Sequence, residues 1–130
     1  MVKYILAYSI CICFLMACNQ DEYQLSKAQD LYQQALSNND VNTAKLALNQ
    51  LVLLDTANLI YQDSLSRLYM QSGNFTAGLK YAENVYANGK ANGQLIENMA
   101  IAYQQIGETE KADEFIENLL KSTKDYKYII

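Results

Sequence analysis

From residue 25 onward, apolar residues recur at the three- and four-residue spacing of amphipathic helices, interrupted by short clusters of Asn, Asp and Gly. Leu25, Ala28, Leu31, Tyr32, Ala35 and Leu36 predict a first helix, preceded by a short polar lead at 19–24. Asn38-Asn39-Asp40 predicts a tight turn, because these side chains tolerate left-handed backbone. Ala44, Leu46, Ala47, Leu48, Leu51, Val52 and Leu54 predict a second helix, apolar around so much of its circumference that cover is expected on two sides. The same alternation continues with helices from about Leu59 to Gln71, across Phe75 to Tyr86, across Leu95 to Tyr103, and around Phe115 to Leu120. Gly73 is expected at a helix C-terminus with positive φ, and Gly78 where two helices approach closely. Asn88 to Gly93 reads as a linker, and Thr109 as a helix cap with Glu110 beside it.

These elements are copies of one another. Leu65, Tyr69, Gly73, Phe75 and Gly78 correspond to Met99, Tyr103, Gly107, Thr109 and Ala112 at a step of 34 residues, and to Leu31, Ala35, Asn39, Val41 and Ala44 at the same step upstream. Leu48, Ala82 and Ile116, then Leu51, Val85 and Leu119, complete the set. Units therefore tile residues 25–58, 59–92 and 93–126, leaving a tail at 127–130. A period of this length marks helix pairs that bury their apolar faces by stacking, an all-α short solenoid of three hairpins. Period and residue types resemble the tetratricopeptide repeat, although the Pro that often closes each unit is replaced by Thr56, Lys90 and Lys124.

The N-terminus carries a different message. A basic Lys3 precedes an apolar run from Tyr4 to Met16, shorter than the ~20 residues of a membrane-spanning helix, and polar Asn19 follows Cys18 directly. Residues 1–17 read as a secretion signal, and Leu15-Met16-Ala17-Cys18 resembles a bacterial lipobox. That resemblance implies cleavage before Cys18, a lipid on its thiol, and a tether at 18–24; the alternative is an ordinary signal peptide with a Cys at its end. Asn19 lacks the carboxylate that favours inner-membrane retention in enteric lipoproteins, so the bacterial outer membrane is expected, on either its periplasmic face or the cell surface. Asp21-Glu22 also resembles export signals of surface lipoproteins in the Bacteroidetes. Loss of Cys11 and Cys13 with the signal and lipidation of Cys18 leave no thiol for disulfides.

Composition narrows the functions. Removing 17 of 130 residues leaves 113, enough for one small domain. Without Lys3, nine basic side chains face 14 acidic ones, a net charge near −5 that opposes nucleic-acid binding. There is no His, so the commonest general base and metal ligand is missing. Asp63, Glu97 and Tyr side chains are the only acid–base candidates, and no catalytic residue, cofactor site or metal site is assigned. Asn88 to Gly93 lacks the order of a phosphate-binding loop.

The repeat resemblance implies a concave groove lined by the first helix of each unit. Its positions fall on Ser26, Gln29, Gln33, Leu36 and Ser37; on Ile60, Asp63, Arg67, Met70 and Gln71; and on Gln94, Glu97, Ile101, Gln104 and Gln105. Amides, one Asp–Arg pair and a few apolar side chains suit an extended or helical protein segment; the alternative is that they are solvated helix faces. The expected function is a non-catalytic adapter that binds a protein or peptide partner in the envelope. Two other readings stay open, a subunit of an outer-membrane or secretion assembly and a small structural or inhibitory surface lipoprotein without a groove. Asp55-Thr56-Ala57 resembles an O-glycosylation site of the Bacteroidetes, which would place a glycan on Thr56. Few residues follow Leu120, so the face of Phe115, Ile116, Leu119 and Leu120 is expected either to be covered by Tyr126, Tyr128, Ile129 and Ile130 or to dock a second copy as a homodimer.

Overall fold

The computed structural model describes the backbone of residues 2–126 and the side chains of residues 20–121. Six helices are described, with no strand among these residues: α1 (Val2–Ser37), α2 (Val41–Leu54), α3 (Leu59–Gln71), α4 (Phe75–Ala87), α5 (Gly93–Gln105) and α6 (Thr109–Tyr126). They pack as the hairpins α1/α2, α3/α4 and α5/α6. The chain forms two compact units, Met1–Thr56 and Ala57–Ile130. Within the second, α5 packs on both α4 and α3, the side-by-side stacking of a helical solenoid.

The turns repeat as strictly as the sequence. Asn39 (φ 54°), Gly73 (φ 77°) and Gly107 (φ 84°) all sit in the left-handed region. In each case the following amide, of Asp40, Asn74 or Glu108, donates back across the turn to the carbonyl of Ala35, Tyr69 or Tyr103 at 2.9 Å. This closes the helix with the bond of a Schellman-type terminus. The next helix then starts at once, with Asp40 accepting from the Thr43 amide and Asn74 from the Ala77 amide. Asn58 and Asn92 cap α3 and α5 in the same way, accepting from the Tyr61 and Leu95 amides.

Several boundaries differ from the sequence reading. α1 runs through 19–24, because nothing in that polar stretch breaks a helix. Gly93 belongs to α5 and not to the linker, since Asn92 caps the helix before it. Thr109 is the first residue of α6, and the Glu108 carbonyl takes the first helical bond from Ala112. α2 buries only Ala44, Ala47, Leu48 and Leu51, whereas Leu46 and Leu53 are 59% and 78% exposed. At 100° per residue these two leucines lie opposite the buried stripe.

The second unit has one continuous core. Leu79, Ala82 and Val85 of α4 meet Leu95, Met99, Ala102 and Tyr103 of α5 and Ala112 of α6. Gly78 lies where α4 crosses α3, and a Cβ there would stand 2.9 Å from the Ser66 carbonyl oxygen and 2.6 Å from Met70 Cγ. Its counterparts Ala44 and Ala112 are buried. Stacked aromatic pairs bridge the two hairpins of this unit internally, Tyr69 on Tyr81 at 6.1 Å and Tyr103 on Phe115 at 5.4 Å. Tyr86 adds an edge contact to Phe115 at 5.0 Å, joining α4 to α6. Phe115 is half-buried while Ile116 and Leu120 are exposed. The Tyr126 side chain and Tyr128, Ile129 and Ile130, expected as their cover, lie outside the described residues.

Candidate functional site

The groove positions divide between the two compact units. In the first, Gln29 and Gln33 are exposed on α1. A cleft of about 400 Å³ in this unit is lined instead by α1 residues including Gln24, Lys27, Leu31 and Gln34, with Gln50 of α2. Gln29 and Gln33, each two residues from Leu31, fall on the opposite side of α1 from that cleft residue.

In the second unit α3 and α5 hold a cleft of about 420 Å³. Arg67, Met70 and Gln71 come from α3, Gln94, Asn98 and Ile101 from α5, and Phe75 stands at the start of α4. Five of these seven are expected groove positions, brought together from successive repeats by the packing of α5 on α3. Phe75 and Asn98 were not expected. Phe75 belongs to the repeat pattern as the first residue of a second helix, and only its place beside α5 turns it toward the cleft. Met70 is 8% exposed and serves the core as well, lying across the space that Gly78 leaves open.

Ile60 and Asp63 line a second cleft, of about 510 Å³, with Ala57, Asn58, Leu59, Val85 and Lys90. Ile60 is 75% exposed. Glu97 and Gln104 are exposed on α5 and line neither cleft; Gln94 Nε2 donates to Glu97 at 3.5 Å and to Asn98 Oδ1 at 3.3 Å. Asp63 and Glu97, the acid–base candidates, are therefore not gathered into one site.

An ion pair separates the two clefts. Arg67 Nε donates to both oxygens of Asp63, at 3.2 and 3.1 Å, one turn apart on α3. Its Nη2 donates to Asn92 Oδ1 at 3.3 Å, the oxygen that also caps α5 by accepting from the Leu95 amide at 2.9 Å. The guanidinium is thus fixed by its own helix and by the first residue before the next hairpin. Both partners are more than a quarter exposed, so the pair orients more than it stabilises, at roughly 0.3–0.5 kcal/mol. Amide donors and acceptors surround an apolar floor of Met70, Phe75 and Ile101, which can hold a polypeptide backbone and one apolar side chain.

Two polar contacts behind the clefts were not legible in the sequence. Asn84 donates to Gln62 Oε1 at 2.6 Å, and Gln62 is buried. The Tyr103 hydroxyl donates to Glu83; burial first, then this bond, holds its phenol well above the usual tyrosine range. Burial also raises Tyr81, followed by the charge of Tyr69.

Thr56 is exposed between α2 and α3. Cys18 lies within the α1 backbone, and its side chain is outside the described residues. Among the described residues no helix is long and apolar enough to cross a membrane. Nor is there a group of three or more His, Cys, Asp or Glu side chains placed to hold a metal. Comparison with protein-family models gives no match, and comparison with curated proteins gives none.

Proposed function

We propose that this chain is a non-catalytic lipoprotein of the bacterial outer membrane, anchored through Cys18, whose tetratricopeptide-like repeats hold a segment of a protein partner. The observation that carries this reading is the cleft between α3 and α5, where Arg67, Met70 and Ile101 converge with the amides of Gln71, Gln94 and Asn98. An amide-rich wall over an apolar floor recognises main chain plus one apolar side chain, and it offers no paired acid and base. Asp63 acts here as the residue that holds Arg67. Gln29 and Gln33, exposed on α1, belong to the first unit, where they are further candidate contact residues, and Thr56, exposed between α2 and α3, is the candidate for a glycan.

Crosslinking from the cleft in intact envelopes tests this. A photoreactive residue replacing exposed Ile101 should capture a discrete partner that the same residue at Asn118 does not. Arg67→Ala should weaken that capture while leaving the helix content unchanged. Equal capture from both positions would remove the basis for a groove. The homodimer reading draws on the exposure of Ile116 and Leu120, 36% and 55%. It requires that Ile116→Lys convert a dimer in solution to a monomer.

A further inference from the structure

At one end of hairpin α1/α2, three large hydrophobic side chains stand in solvent. Leu53 is 78% exposed, Tyr23 65% and Leu54 42%. The turn at 38–40 sends α2 back along α1, so that Gln50 lies beside the stretch from Gln24 to Gln34. Equal rise along two antiparallel helices then puts Leu53 and Leu54 level with roughly residues 24–25 of α1. Cys18 is at this same end. It precedes Tyr23 by five residues of helix, about 7.5 Å of axial rise, and no loop intervenes.

We propose that this end of hairpin one rests in the headgroup layer of the membrane, with Tyr23, Leu53 and Leu54 as the inserted side chains. The inference relies on the anchor reading of Cys18 and goes beyond it: the lipid alone would allow any orientation, whereas these side chains select one. A helical connection of five residues cannot carry the domain far from a layer that is itself several ångströms deep, about 5–8 Å on each side. A tyrosine with an apolar ring and polar tip suits that layer, and leucines gain from the acyl boundary beneath it. The anchor supplies a high effective concentration, so a contact too weak to bind free protein is enough to orient a tethered one. Charge states what kind of surface this is. Asp21, Glu22 and Asp55 outnumber Lys27 at this end, so the contact is with neutral, zwitterionic headgroups and gains nothing from anionic lipid.

The test uses the full chain, processed and reconstituted in phosphatidylcholine vesicles, with a nitroxide on Tyr23→Cys, Leu53→Cys or Leu54→Cys. Asn38→Cys, at the opposite end of the hairpin, is the reference. All four positions are exposed, so labelling leaves the core intact. The expected result is flotation with the vesicles and about threefold lower collision with an aqueous nickel reagent at 23, 53 and 54 than at 38, with oxygen collision raised. Flotation with equal nickel access at all four positions overturns this inference and leaves the anchor standing. Labels shielded from nickel and oxygen alike mean that protein, such as a second copy, covers the patch, and also overturn it. Failure to float removes the anchor and this contact together.

Discussion

Hairpin one and the two hairpins of the second unit share a backbone plan and fill it differently. Where α3/α4 stacks Tyr69 on Tyr81 and α5/α6 stacks Tyr103 on Phe115, the equivalent positions of α1/α2 are Ala35 and Ala47. Both alanines are buried, at 2% and 0% exposure, so a ring at either position would have to displace its neighbours. Bulk moves elsewhere on the seam: Leu48 stands where the second hairpin has Ala82, and Tyr32 where it has Ser66. The repeat therefore fixes the backbone turns strictly, while the volume between the helices is shared out anew in each hairpin. Polar contacts follow the same division. Gln62–Asn84 and Tyr103–Glu83 occur in the second unit, and the first has Ala28 where Gln62 would fall.

The sharpest break in this comparison is Tyr103→Ala. It removes a ring that is 4% exposed and stacked on Phe115, and truncation of a buried aromatic costs about 3–5 kcal/mol. Hydrogen exchange should show α5 and α6 losing protection while α1 and α2 keep theirs; equal loss in both units would mean that the core of the second unit is not separate. Next is Gly78→Leu. The Ser66 carbonyl oxygen cannot move without moving α3, so a loss of roughly 1–3 kcal/mol is expected by urea unfolding. Even Gly78→Ala should destabilise, because the first added carbon already meets backbone.

Transplanting the aromatic pair into the first hairpin sharpens the same contrast. Ala35→Tyr with Ala47→Phe copies the third hairpin at two positions that lack room, and should cost about 1–3 kcal/mol for each overpacked site. A double variant more stable than the parent would show that the alanine seam is loosely packed. Gln62→Leu in the second hairpin should cost about 1 kcal/mol, since it leaves the Asn84 amide without this acceptor.

The smallest effect separates the hairpins by pH. Asp40 caps α2 through the Thr43 hydroxyl and amide, and these bonds hold its carboxyl below the ordinary value of 3.8. A carboxyl lowered by folding contributes stability above its unfolded pKa and loses it as pH falls through the folded value. The protection of the Thr43 and Ala44 amides, taken relative to their intrinsic exchange at each pH, should therefore fall in acid below pH 3.8, and Asp40→Asn should abolish that fall. Protection at the start of α4, capped by Asn74, should show no such fall, because an amide cap does not titrate.

What the chain determined by itself is local. Positive φ at Asn39, Gly73 and Gly107 is a demand of single residues, and the caps at Asp40, Asn58, Asn74 and Asn92 need only amides two or three positions ahead. The period, the six helices and the close approach at Gly78 follow from these and from apolar spacing. Tertiary structure decided whatever depends on a neighbour distant in sequence. Leu46, Leu48, Leu51 and Leu53 are the same residue type on one helix, and only the direction of α1 buries Leu48 and Leu51 while leaving the other two in solvent. Phe75 and Asn98 entered the cleft for the same reason. A side chain's face is set by its position on the helix, but what meets that face is set by how helices 20 or more residues apart come together, as Glu83 with Tyr103 and Gln62 with Asn84 do.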